Sequence, residues 1–188
     1  YYTTYKTDDY AYWNLSGEAG AGAGGNAPNG YIGSCQGFFV RKTNPGSGNL
    51  VFRNDMRAVE NSRFFKNKTS ETTERFKLQL ISENNYFNEI LIAFSKYAGD
   101  GYDRLFDARK TKGNPNIALY TELNNEPFAI QTFAPRDDDF QVPVCLDAGT
   151  SGIYTFHTGI IENFSPLTSI WLEDKKEGKM IDLEQNTQ

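Results

Sequence analysis

What most constrains this chain is a rhythm of short segments that alternate polar and apolar residues, separated by turn chemistry along most of its 188 residues. In Arg75-Phe76-Lys77-Leu78-Gln79-Leu80-Ile81 the apolar side chains fall on alternate positions. That places Phe76, Leu78 and Leu80 on one face of a strand and fits no helix. Glu83-Asn84-Asn85 then turns into residues 86–94, whose last five are apolar throughout, predicting a strand buried on both faces. Residues 36–41 and 50–53, joined by the turn cluster Asn44-Pro45-Gly46-Ser47-Gly48-Asn49, read as another hairpin, and 117–123 with 128–133 as a third. Residues 10–13, 140–144, 152–156, 169–174 and 180–183 complete the strand set. Such spacing predicts an all-β fold, an antiparallel β-sandwich or jelly roll, with two small packed sandwiches as the alternative.

The aromatic share of 14%, with 14 Phe and 11 Tyr, agrees with strands, because rings bury large areas on pleated surfaces. Residues 16–30 are too rich in Gly and Ala to bury a core and read as a mobile loop. The expected organisation is therefore an aromatic and Gly-rich segment over 1–30, then a sandwich region over 31–188 with a subdivision near 110–125. Gly20, Gly22 and Gly25 match G-x-G-x-x-G, but Asn26-Ala27-Pro28-Asn29-Gly30 follows where a dinucleotide site needs a helix. The net charge of −5 is scattered, with no basic block for nucleic acid and no polybasic patch or long apolar run for a membrane. Both ends look like cuts made in something longer.

Few residues invite catalysis. His157 is the only histidine and is expected at the end of a strand; no Gly-x-Ser-x-Gly elbow occurs, and neither cysteine lies in a nucleophile signature. No cofactor motif is present, and the chain reads as a non-enzyme. Asp100, Asp103 and Asp107 form an acidic loop cluster that could supply oxygens to calcium, against the alternative of a solvated loop; Asp137-Asp138-Asp139 is similar. Tyr1, Tyr2, Tyr5, Tyr10, Tyr12 and Trp13 crowd the N-terminus, where Tyr12 and Trp13 could stack on a sugar ring or simply pack. Cys35 and Cys145 stand 110 positions apart, too far for a Cys-x-x-Cys motif, and are either buried free thiols or one long-range disulfide.

Several blocks carry a family resemblance. Pro28-Asn29-Gly30-Tyr31-Ile32-Gly33-Ser34-Cys35-Gln36-Gly37-Phe38-Phe39-Val40, then Val51-Phe52-Arg53-Asn54, Arg63-Phe64-Phe65-Lys66 and Glu89-Ile90-Leu91-Ile92-Ala93-Phe94 are its first half. Asp107-Ala108-Arg109-Lys110, Val142-Pro143-Val144 and Trp171-Leu172-Glu173-Asp174-Lys175 are among the later ones. Together they resemble the β-rich region preceding the C-terminal sorting domain in Bacteroidetes cargo proteins of the type IX secretion system. The resemblance implies a non-catalytic structural or adhesion module of a large exported protein, secreted or on the outer cell surface. Its partners would be other domains of that protein and the export machinery, with glycans as a further class. Cysteine stands at Cys35 and Cys145 where that family commonly has glycine, which favours the disulfide.

Overall fold

A computed structural model describes residues 10–21, 28–32, 37–42, 44–57 and 73–185. The chain divides into two compact units, residues 1–28 with 71–188, and residues 29–70. This differs from the expected division: the segment up to 28 groups with the main sheet, and no boundary falls near 110–125.

The larger unit is all-β and sandwich-like, and its longer strands fall where the apolar pattern of the sequence predicts them. Arg75-Phe76-Lys77-Leu78-Gln79-Leu80 lies within β3 (Glu74–Ser82), which pairs antiparallel with β4 (Phe87–Phe94). The next hairpin is β6 (Ile117–Leu123) and β7 (Glu126–Phe133). Its two-residue loop, Asn124-Asn125, has φ of 52° and 62°, the left-handed geometry that matches the twist of flanking strands and that asparagine tolerates. β8 (Val144–Ala148) and β9 (Tyr154–Glu162) are the outer strands of a seven-stranded sheet ordered β8-β6-β7-β4-β3-β9, with the short β5 (Ala108–Arg109) against β7. β4 and β7 run parallel, with Leu91 opposite Ile130 and Phe94 opposite Phe133. Two further hairpins are separate: β1 (Tyr12–Asn14) with β2 (Gly17–Ala19), and β10 (Trp171–Asp174) with β11 (Lys179–Asp182).

One core joins Leu78, Leu80, Ile90, Ile92, Ile117, Leu119, Phe133 and Leu183, with Phe76, Phe94, Val144, Phe156 and Leu172 at its margin. A smaller cluster on the opposite face of β4 joins Ala19, Leu91 and Ile130, with Tyr12 and Ala108 packed on it. Strand β4 is thus buried on both faces, as its unbroken apolar run requires. Between β3 and β9 the register shifts, so that Gly159 and Ile160 together face Lys77. A Cβ at Gly159 would lie 2.9 Å from the Cβ of Lys77, so this bulge needs glycine.

Several expectations are corrected. Residues 17–19 of the Gly/Ala-rich stretch are strand β2, and Ala19 is fully buried, because pairing with β1 supplies the burial their own side chains cannot. The strand expected over 140–144 instead begins at Val144, after Pro143, which has no N–H to give a ladder. The strand expected to end at Phe156 runs on to Glu162, so His157 lies mid-strand opposite Gln79.

In the smaller unit, the hairpin expected from 36–41 and 50–53 forms no strands among the described residues; a 3-10 turn occupies Asn54–Met56. Lys42 Nζ instead gathers the carbonyls of Asn44, Pro45 and Gly46 at 2.6, 3.0 and 2.6 Å, and Phe38 meets Phe52 edge-on at 6.1 Å. Gln36, Cys35, the Arg63-Phe64-Phe65-Lys66 block and Tyr1, Tyr2 and Tyr5 lie outside the described residues.

Candidate functional site

The polar residues of β3 and β4 that alternate with the core do not all face water. Lys77, Gln79 and Glu89 share the face covered by the β1–β2 hairpin. Lys77 Nζ lies 3.2 Å from Glu18 Oε1 and 3.3 Å from Glu89 Oε1, and both Lys77 and Glu89 are buried. Glu89 also accepts the backbone N–H of Gly20 at 2.8 Å and Gln79 Nε2 at 2.7 Å. Arg75 extends the layer, donating to Glu162 at 2.7 Å and to the Ser16 carbonyl at 3.3 Å. A buried charge is tolerated only when paired and hydrogen-bonded, and here the partners come from three strands and the end of a fourth.

Next to it, loop 103–107 is fastened to the same hairpin. Asn14 Nδ2, Ser16 Oγ and Thr132 Oγ1 all donate to the Phe106 carbonyl, at 2.7, 3.2 and 2.9 Å. Asp107 accepts the Thr132 N–H at 2.8 Å through Oδ1 and the Asp103 N–H at 2.7 Å through Oδ2. Burial is the main influence on its carboxyl and pushes the pKa up to about 6, against the lowering effect of those two backbone N–H groups.

The candidate calcium ligands are therefore not assembled. Asp107 spends both oxygens on the backbone, Asp103 Oδ1 accepts the Leu105 N–H at 2.9 Å, and Asp100 pairs with Arg136. Among the described residues no group of three or more His, Cys, Asp or Glu side chains is placed to hold a metal ion. Tyr12 and Trp13 point in opposite directions, as strand alternation demands. The Tyr12 hydroxyl donates to the Thr111 carbonyl at 2.9 Å and accepts the Thr111 N–H at 2.7 Å, fixing the ring against the smaller cluster; Trp13 is 38% exposed.

Cys145 is a free, half-buried thiol on β8 opposite Tyr120; Cys35, its suggested disulfide partner, lies outside the described residues. Burial, then the nearby Glu122 and Asp147 carboxylates, push the Cys145 thiol above its usual value, the reverse of an activated nucleophile. Asp147 is held low by Lys112, which also lies over the Tyr120 ring 4.6 Å from its centre.

Fold and site together define an all-β, sandwich-like module whose most organised side-chain chemistry faces inward, beneath its N-terminal hairpin. The chain belongs to the family described as a domain of unknown function, DUF8693, whose model matches residues 1–187. No curated protein and no solved structure was found to match it.

Proposed function

We propose that this chain is a non-catalytic structural module of a large exported bacterial surface protein, one that supports or displays neighbouring domains. The observation that supports this reading is the use made of buried ionisable groups. Lys77, Glu89 and Asp107 each bind parts of the same chain that are distant in sequence, and all three brace the N-terminal hairpin or the loop beside it. Groups committed to such bonds hold an architecture together and are not free to move protons on a substrate. The resemblance to type IX cargo supports an outer-surface location beside a sorting domain. Protease shaving and surface biotinylation of intact cells test this. The module is expected to be accessible in cells with a working type IX system and retained in cells lacking it; retention in both sinks the proposal.

Exposed Trp13 on its hairpin favours a second reading, a carbohydrate-binding face, since an indole can stack on a sugar ring. A glycan array comparing the native chain with Trp13→Ala decides it. Binding lost with the indole supports the reading, and silence of the native chain across the array removes it.

A further inference from the structure

The charge, scattered along the sequence, divides sharply between the two compact units. Residues 29–70 carry seven Lys and Arg against two Asp and Glu, a net +5, and the remaining residues carry 12 against 22, a net −10. In the smaller unit basic side chains follow apolar ones: Val40 precedes Arg41, Val51-Phe52 precedes Arg53, and Met56 precedes Arg57. These four apolar side chains are all more than half exposed, Phe52 at 66%, and the edge-on contact of Phe52 with Phe38 brings the two stretches together. Arg53 meets Asp55 at 3.4 Å, but both side chains are about two-thirds exposed, so water leaves that pair little strength.

The larger unit carries a face of the opposite sign. In the β10–β11 ladder Trp171 stands opposite Asp182, and Glu173 opposite Met180. Directly opposed residues share a face, as do alternate residues of one strand, so these four side chains lie together. Leu172, on the reverse face, packs against the main core, which turns the first face outward. Trp171 is 49% and Met180 58% exposed. Two apolar side chains thus alternate with two carboxylates, while Lys179 stands on the reverse face opposite Asp174.

Exposed apolar side chains grouped beside charge of one sign mark an interaction surface, and the sign selects the partner. Two copies of the smaller unit would repel each other at +5 each. An anionic lipid surface would attract the arginines, but the −10 on the rest of the chain opposes that approach. A second copy answers both faces at once. We propose that residues 38–42 and 50–57 of one copy dock on the outward face of β10–β11 of a second copy, with Phe52 against Trp171 and Met180 and the arginines beside Glu173 and Asp182. The contact joins two different faces, so each pair keeps one face of each kind open, and further copies add head to tail or close a ring. Neither face depends on the cellular location proposed above, so the failure of one reading leaves the other standing.

Sedimentation velocity of the full chain over a concentration series tests this. The native chain is expected to self-associate as concentration rises, and less so from about 0.1 M to about 1 M salt, where the screening length falls from about 10 to about 3 Å. Trp171→Ala is expected to lower the association constant at least about tenfold. The double variant Arg41→Glu with Arg53→Glu, and separately Glu173→Lys, are each expected to stay monomeric. Mixed together, these two variants are expected to associate again, because the reversed basic stretch of one meets the reversed acidic face of the other. A native chain that remains monomeric up to about 1 mM overturns the proposal, as does association that the variants leave intact or that mixing fails to restore. A monomer that binds phosphatidylglycerol vesicles through the same arginines also overturns it and assigns them to lipid.

Discussion

Replacing Glu89 by leucine tests whether the charged layer beneath the hairpin stabilises the fold as its geometry implies. The substitution removes the buried carboxylate beside Lys77, leaving the ammonium with Glu18, which is partly exposed. It also strips the acceptor from the Gly20 N–H and from Gln79 Nε2. Removing one partner of a buried ion pair costs about 3–5 kcal/mol, because the charge left behind is uncompensated. Glu18 retains part of the compensation at 3.2 Å, which puts the expected loss at the low end, about 3 kcal/mol. For a domain of this size that corresponds to a melting temperature lower by about 6–12 °C. The double variant Lys77→Met with Glu89→Leu is expected to recover most of the loss, since an apolar pair carries no stranded charge. Urea unfolding of the native, single and double variants, with hydrogen exchange at Ala19 and Gly20 as a local readout, measures all of it. A single variant within about 1 kcal/mol of the native chain, or a double variant no better than the single, would refute the electrostatic account.

Asp107 makes stability depend on pH in a defined direction. Its folded value of about 6 lies above its ordinary 3.8, so its contribution is full below pH 3.8 and is lost as pH rises through about 6. About two pH units at about 1.4 kcal/mol each give a loss of about 3 kcal/mol over that window; the native chain minus Asp107→Asn, compared by urea unfolding from pH 4 to 7.5, should show it, and a flat difference refutes it. Gly149→Ala puts a Cβ 2.8 Å from the Asn116 Cα and closer still to the Pro115 carbonyl oxygen, all backbone. It is expected to cost at least about 2 kcal/mol in thermal unfolding, while Gly99→Ala, where a Cβ meets nothing, costs under about 1. Alkylation of Cys145, followed peptide by peptide, is expected to keep accelerating above pH 9, because the thiol lies above its usual 9.0; a plateau reached by pH 8 contradicts that.

The strands easiest to read were those whose own side chains decide their fate. Phe76, Leu78 and Leu80 mark β3 and the apolar run of β4 marks double burial, whereas the β6–β7 turn, expected over 124–127, is only Asn124-Asn125, because β7 already begins at Glu126. β2 was hidden because Gly17, Glu18 and Ala19 have no strand signature; their conformation comes from β1 on one side and Leu91 below. β5 is only two residues long, too short for any periodicity. The site was obscured for a related reason. Alternation assigns Lys77 and Glu89 to a polar face, and a polar face reads as solvated until something covers it. What covers it is the Gly/Ala-rich stretch, the part of the sequence with the least apparent capacity to bury anything. Asp107 stands out in the sequence by its charge, but its oxygens face the Thr132 and Asp103 amides, a partnership that depends on bringing loop 103–107 against β7.

The order of the seven-stranded sheet has a kinetic consequence. β3 receives β4 from the adjacent hairpin, but its other neighbour is β9, with Arg75 facing Glu162. β4 likewise waits for β7 to arrive in parallel. Loop-closure entropy must be met before such distant pairings return any stabilisation, so a sheet of this order belongs with the slow folders, in the range of about milliseconds to seconds. A ribosome or a translocation channel would have to deliver the chain as far as Glu162 before β3 is flanked on both sides. Until then the β3–β4 hairpin carries one open edge, and the time spent in that state decides whether the molecule closes its own sheet or pairs with a neighbour.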